Sequence, residues 1–171
     1  ENGEIVVIEN NTLQSIKPFP TKKSRPCVFE YIYFSRPDSI LNGKTTYEFR
    51  KKFGEQLASE DIIDADLIVP VPDSGNAAAL GYSQKTKINF DLGLIRNHYV
   101  GRTFIEPAQK IRSLGVKLKL NANKSSIKDK KIILIDDSLV RGTTSYKIVK
   151  MLYDAGAKEI HVRIASPEIK F

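Results

Sequence analysis

Ile132-Ile133-Leu134-Ile135-Asp136-Asp137-Ser138-Leu139-Val140-Arg141-Gly142-Thr143-Thr144 decides how the rest of this chain is read. An apolar run rich in β-branched residues follows Lys130 and Lys131 and stops at two adjacent carboxylates. No polar residue alternates within it, as expected for a strand covered on both faces of a parallel sheet; a buried helical segment reads alike over so short a span. After the acids comes a turn of small, hydroxylic and glycine residues. Ile148, Met151, Leu152 and Ala155 then recur at helical spacing, and Gly156 stands where that helix would end. Ile160, Val162 and Ile164 resume a strand and complete a βαβ unit. Ligands of open α/β sheets sit outside the carboxyl ends of the strands. Asp136 and Asp137 fall at such an end.

The turn after the acids offers backbone N–H groups, the hydroxyls of Ser138, Thr143 and Thr144, and the freedom of Gly142. With the helix N-terminus behind it, it makes a pocket for a phosphate. The helix dipole contributes only ~0.3–2 kcal/mol, so direct hydrogen bonds must supply most of the affinity. No Gly-Lys-Ser/Thr closes the turn and no Gly-x-Gly-x-x-Gly is present, which sets aside nucleotide loops of the Walker and dinucleotide kinds. An Asp-Asp pair can simply open a turn. Two ionised carboxylates can also grip a vicinal diol, or hold Mg²⁺ directly or through its water shell. Taken together the order of parts points to a phosphorylated ribose.

That stretch resembles the phosphoribosyl-pyrophosphate (PRPP) signature of type I phosphoribosyltransferases. Tyr31-Ile-Tyr-Phe-Ser-Arg-Pro-Asp-Ser39, Val69-Pro-Val-Pro-Asp-Ser-Gly75 and Arg96-Asn-His-Tyr-Val-Gly-Arg-Thr-Phe-Ile-Glu-Pro107 resemble blocks of one family among them, the amidophosphoribosyltransferases of purine synthesis. Lys119-Leu-Asn-Ala-Asn123 and Ala155-Gly-Ala-Lys158 do so as well. The PRPP motif alone indicates the superfamily; the Tyr-Val-Gly-Arg-Thr-Phe-Ile block is far more specific. The resemblance implies an α/β fold of the type I phosphoribosyltransferase kind, a mostly parallel sheet flanked by helices with a flexible lid insertion.

It also implies a site. Asp73, Ser74 and Gly75 would hold the pyrophosphate, although Ser74 or Asp73 could merely cap the helix expected from about Ala77. Asp136, Asp137, Ser138, Val140, Arg141, Gly142, Thr143 and Thr144 would hold the ribose phosphate, and Ser74, Asp136 and Asp137 the Mg²⁺. The stretch from Phe90 to Ile132 is too long for a tight connection and reads as a lid. It carries Arg96, Tyr99, Gly101, Arg102, Lys110 and Arg112. In the family this loop closes over PRPP, which makes Arg96, Tyr99 and Arg102 the candidate catalytic residues. Arg96 stands where lysine is commoner and keeps the charge. His98 stands where arginine is commoner and is mostly neutral at pH 7, which puts a pyrophosphate contact there in doubt. Val116, Leu118 and Leu120 alternate with lysines as an exposed strand.

Displacement of pyrophosphate from ribose passes through a carbocation-like sugar, so no strong nucleophile is needed; glycoside hydrolysis shares this chemistry. The resemblance makes ammonia the attacking group, released from glutamine in a preceding glutaminase domain. It further implies purine nucleotides as feedback inhibitors and a homo-oligomer for the full-length enzyme. The expected division is 1–30, a remnant of the glutaminase domain and a linker, and 31–171, the phosphoribosyltransferase domain cut at its C-terminal end. The family's glutaminase nucleophile is absent from this chain. A nucleobase salvage transferase shares the PRPP motif but not the Tyr-Val-Gly-Arg-Thr-Phe block. A PRPP-binding regulator or an inactive fragment with the same fold are the other readings.

Composition agrees with one domain core. The chain has 171 residues, 41% of them hydrophobic, which is enough to bury a sizeable interior. No apolar run approaches membrane-spanning length and no signal peptide is seen, so the expected setting is cytoplasmic without a membrane partner. Cys27 is the single cysteine. It excludes an internal disulfide, and it cannot hold an iron–sulfur cluster, which needs four ligands; a buried, inert thiol is expected. The net charge is +7, with clusters at Lys22, Lys23 and Arg25, at Arg50, Lys51 and Lys52, and along residues 117–131. The first two read as solvated surface. A polyanionic small substrate explains a positive site, and no helix-turn-helix or aromatic RNA-binding signature points to nucleic acid. Elsewhere, residues 4–8 read as a strand before a turn at Asn10-Asn11, and residues 15–26 as the linker. Thr45-Thr46-Tyr47-Glu48 reads as a capping box, with Phe49, Phe53 and Leu57 as a core stripe.

Overall fold

The computed structural model describes residues 3–23, 25–61, 63–98 and 119–168. The first strand, β1 (Ile5–Glu9), pairs antiparallel with β2 (Thr12–Ile16). Asn10 and Asn11 turn the chain between them with φ of 47° and 60°, a left-handed conformation that asparagine tolerates better than most residues. Ser15 was expected to open the linker; it lies in β2 opposite Val6 and donates its hydroxyl to Glu4 Oε1 at 2.5 Å. The irregular, exposed stretch therefore starts after Ile16. Cys27, expected to be buried, is exposed. It ends that stretch, where no second layer covers the backbone.

A π-helical turn, Glu30–Phe34, straddles the expected domain boundary by one residue. The short hairpin β3 (Ile40–Leu41) and β4 (Lys44–Thr45) leads into α1 (Thr46–Glu60). The capping box forms: Thr45 Oγ1 accepts from the Glu48 N–H at 3.3 Å, and the Glu48 carboxylate accepts from the Thr45 N–H at 3.0 Å. The buried line of α1 is not the expected stripe, however. Phe49, Phe53 and Leu57 are only half-buried, whereas Thr46, Arg50, Gly54 and Ala58 are buried. Arg50, expected among solvated cations, thus faces inward. Gly54 sits there because the neighbouring helix comes close, and Arg50 because the carbonyls of Tyr31 and Ser35 accept from its guanidinium.

That neighbour is reached through β5 (Leu67–Pro70), which leads into α2 (Asn76–Thr86). A Cβ on Gly54 would lie 1.8 Å from the Ala78 carbonyl oxygen, and one on Gly81 would lie 2.0 Å from that of Lys51. Only a line of small residues lets the two backbones meet this closely. Next come β6 (Leu94–Arg96) and β7 (Leu120–Ala122), an antiparallel pair in which Arg96 opposes Leu120. The Asn97 N–H donates to the Lys119 carbonyl at 2.8 Å and prolongs this pair. Much of the lid expected from Phe90 to Ile132 is therefore regular structure, because β6 and β7 pair and Leu120, expected in an exposed strand, is buried in the core; Tyr99, Gly101, Arg102, Lys110, Arg112 and Val116 lie outside the described residues.

The remaining elements are α3 (Lys124–Ile127), β8 (Lys131–Asp136), α4 (Thr143–Asp154) and β9 (Glu159–Ile164). β8 lies between β5 and β9 and runs parallel to both, and Phe90 adds a parallel bridge to Ile68. Strand alternation sorts the core into two layers. Leu67, Val69, Ile132 and Leu134 pack with Ile148 and Leu152 of α4, and with Leu94, Leu120 and Ile127. Ile68, Ile133 and Ile135 pack with Ala58 of α1 and with Ala78, Ala79 and Tyr82 of α2. The sheet is thus parallel and covered on both faces, and β8-α4-β9 is the βαβ unit expected from the sequence. No helix among the described residues is long and apolar enough to cross a membrane.

Candidate functional site

The parallel pairing of β5 with β8 brings two loops to one end of the sheet. Pro70 opposes Ile135, and the Val71 N–H donates to the Ile135 carbonyl at 2.8 Å. Residues 71–75 then turn tightly, with the Gly75 N–H on the Val71 carbonyl at 2.9 Å. A Cβ on Gly75 would stand 2.4 Å from the Ile135 carbonyl oxygen, so the loop closes against the end of β8 only because position 75 has no side chain. Asp73, Ser74 and Gly75 therefore sit one residue from the acidic pair. Gly75 caps α2 without a side-chain hydrogen bond, so neither Ser74 nor Asp73 serves as the cap.

Asp136 ends β8 and Asp137 follows it. The Asp137 N–H donates to Asp136 Oδ1 at 2.9 Å, and the Ser138 hydroxyl donates to Asp137 Oδ1 at 2.9 Å. β9 extends alongside: the N–H groups of Ala165 and Ser166 donate to the carbonyls of Asp136 and Asp137, both at 2.9 Å. This fixes the backbone of both acids. Burial, and then the neighbouring Asp137 charge, push the Asp136 carboxyl up to about 7. Asp137 is 7% exposed and its Oδ2 has no hydrogen-bond partner among the described residues. A buried carboxylate oxygen without a donor is costly, and a cation or a sugar hydroxyl is what it lacks.

Residues 138–142 form an open turn ahead of α4. Val140 and Arg141 are exposed, as are Thr143 and Thr144 in the first helical turn. Gly142 is the N-cap with φ of 69°, and no side chain caps the helix. Nor does an acidic residue stand in its first turn. Amides at this end are thus left to a ligand, in the field of a helix N-terminus.

The third contribution comes from β6. Arg96 forms an ion pair with Asp73, which joins the expected lid base to the expected pyrophosphate loop. Arg96 Nε and Asn76 Oδ1 are buried without partners among the described residues. Together with Asp137 Oδ2, these orphaned atoms all belong to the residues that gather at the carboxyl end of β5 and β8. His98 is exposed. Two residues that sequence reasoning missed are Thr46 and Arg50, buried at the inner face of α1. A signal was present: Thr46, Gly54 and Ala58 recur every four residues as a small-residue line, and Arg50 lies on it.

No protein-family profile matches the chain. Similarity to individual proteins is extensive. An amidophosphoribosyltransferase of Rhizobium etli is 53% identical over 176 residues, covering 100% of this chain and 36% of the relative. A chloroplastic amidophosphoribosyltransferase of Glycine max is 53% identical, covering 98% of this chain and 29% of the relative. The solved B. subtilis glutamine PRPP amidotransferase complexed with ADP and GMP superposes with a TM-score of 0.81 at 46% identity, over 99% of this chain and 37% of that one. The chain thus spans about a third of the length of the proteins it matches.

Proposed function

We infer that this chain is the phosphoribosyltransferase segment of an amidophosphoribosyltransferase, and we propose that it binds PRPP and transfers its phosphoribosyl group to ammonia, releasing pyrophosphate as in the first step of purine synthesis. The observation that carries the proposal is the convergence of a paired-acid strand end, an uncapped amide turn and a glycine-closed loop at one end of a parallel sheet. Residues 138–144 hold the 5-phosphate through backbone N–H groups and the hydroxyls of Ser138, Thr143 and Thr144. Asp136 and Asp137 accept hydrogen bonds from the ribose hydroxyls. The loop of Asp73, Ser74 and Gly75 takes the pyrophosphate, for which Arg96 exchanges its pairing with Asp73. Tyr99 and Arg102 are the further residues proposed to act on it. Fixed in this way, the sugar is exposed to ammonia and shielded from water as positive charge develops at its anomeric carbon.

The residues fit Mg²⁺. Two carboxylates with a hydroxyl suit a hard cation that draws its other ligands from phosphates and water, and the buried Asp137 Oδ2, which has no partner among the described residues, supports that fit. Asp136, Asp137 and Ser74 would hold it, and it would neutralise the leaving pyrophosphate. Ammonia is supplied from glutamine by a glutaminase domain of which residues 1–30 are the proposed remnant and linker, in a homo-oligomeric cytoplasmic enzyme. Purine nucleotides are its proposed inhibitors, in keeping with the ADP and GMP bound by the B. subtilis neighbour.

Calorimetric titration of PRPP with and without Mg²⁺ tests this. Binding should require Mg²⁺, and Asp137→Asn should weaken it ~10–100-fold, the value of a hydrogen bond to a charged group. No binding by the wild-type chain, or equal binding by the variant, would overturn the assignment.

A further inference from the structure

Arg50 is a buried charge that PRPP binding, as described above, does not use. It lies in the second turn of α1 and is 6% exposed, and a buried arginine must find partners. Its Nε donates to the Tyr31 carbonyl at 2.9 Å, and a terminal nitrogen donates to the Ser35 carbonyl at 2.7 Å. One carbonyl lies within the π-helical turn and the other at its C-cap. One helical turn earlier on the same line, Thr46 is fully buried and gives its hydroxyl to the Arg36 carbonyl, while its N–H reaches the Ser39 carbonyl at 2.9 Å. The guanidinium is therefore held in place by backbone that α1 clasps along its inner face.

Neither carbonyl neutralises it. The opposite charge is Asp137: burial lowers the Arg50 pKa, and the Asp137 carboxylate raises it again. By strand alternation Asp137 continues the face of Ile133 and Ile135, which α1 and α2 cover. Asp137 is buried too, with Oδ2 unpartnered. Here a fork of five N–H donors serves better than an ammonium, because two carbonyls fix the plane while the charge acts beyond it.

We propose that Arg50 is a positioning residue for phosphoribosyl transfer: anchored on the carbonyls of Tyr31 and Ser35, it supplies the fixed positive charge that orients the Asp137 carboxylate for the ligand. The proposal rests on the reading of Asp137 as a PRPP contact. The test is calorimetric titration of PRPP with Mg²⁺ into the whole chain as wild type, Arg50→Gln and Arg50→Lys, with thermal unfolding recorded beside it. Arg50→Gln, which keeps a donor and loses the charge, should weaken binding at least fivefold. Arg50→Lys, which keeps the charge, should bind at least threefold more tightly than Arg50→Gln, even where both unfold at the same lowered temperature. Binding by Arg50→Gln within fivefold of wild type, or by Arg50→Lys no better than by Arg50→Gln, would overturn the proposal.

Should Arg50→Gln fail to fold, or wild type fail to bind PRPP, the Arg50 Nε–H resonance in wild type and in Asp137→Asn decides the pairing. A displaced resonance supports it and coincident resonances overturn it. Absence of PRPP binding by wild type would sink the assignment of function alone.

Discussion

At the scale of single residues, the acidic pair sets how this strand end responds to pH. Asp136 keeps its carboxyl near neutrality because burial and Asp137 both disfavour its charge. Its folded-state pKa of about 7 lies above the unfolded value of ~3.9. The folded chain therefore binds the extra proton, and the stability this confers is complete below pH ~4 and lost as pH rises to about 7. Asp136→Asn can still accept from the Asp137 N–H and should remove this slope. At pH 8 it should unfold later than wild type, by roughly 1–3 kcal/mol once partial solvent screening is allowed for. Ligand binding should move the other way, weakening about tenfold per unit below pH ~7 as protons compete for Asp136. Denaturant melts and calorimetry from pH 5 to 8.5 check both. A flat wild-type stability profile across that range would show that Asp136 titrates where an ordinary aspartate does.

At the scale of elements, β8, α4 and β9 were legible because period and punctuation agree. A continuous apolar run gives a strand buried on both faces, and a spacing of three and four residues gives the helix that covers it. The two loops after β5 and β8 were legible as loops for a related reason, since glycine, aspartate and hydroxylic residues after an apolar run end a strand and turn the chain. α1 was not. Its face was read from Phe49, Phe53 and Leu57, but Gly54 meets Ala78 so closely that large side chains are forced to the flanks. A buried arginine on that line defeats any reading from hydropathy, as does an exposed Cys27 at the end of an uncovered stretch. Gly54→Val should therefore destabilise the chain by at least ~1–3 kcal/mol, since overpacking against backbone outweighs any gain in helix propensity. Ser59→Ala, on the exposed side of α1, should stay within ~0.5 kcal/mol. Urea melts of the two variants measure the difference, and a Gly54→Val chain as stable as wild type would contradict the close approach of α1 and α2.

At the scale of the molecule, the proposed site draws on segments far apart in sequence: residues 73–75 after β5, Arg96 on β6, and residues 136–144 from the end of β8 into α4. Each alone offers a fragment of a phosphate or diol site, and the parallel sheet brings them to one end. A ligand that touches all of them ties together elements that otherwise meet only through the core, and the gain should appear as global stability. At roughly a hundred times Kd, one bound ligand adds about 2.7 kcal/mol. For a domain of this size that raises Tm by about 5–10 °C. PRPP with Mg²⁺ should produce a shift of that order. Ribose 5-phosphate at the same concentration engages residues 136–144 but leaves the loop of Asp73, Ser74 and Gly75 empty, and its shift should be distinctly smaller. Equal shifts for the two ligands would mean that the loop after β5, although it closes on the end of β8, takes no part in holding the pyrophosphate.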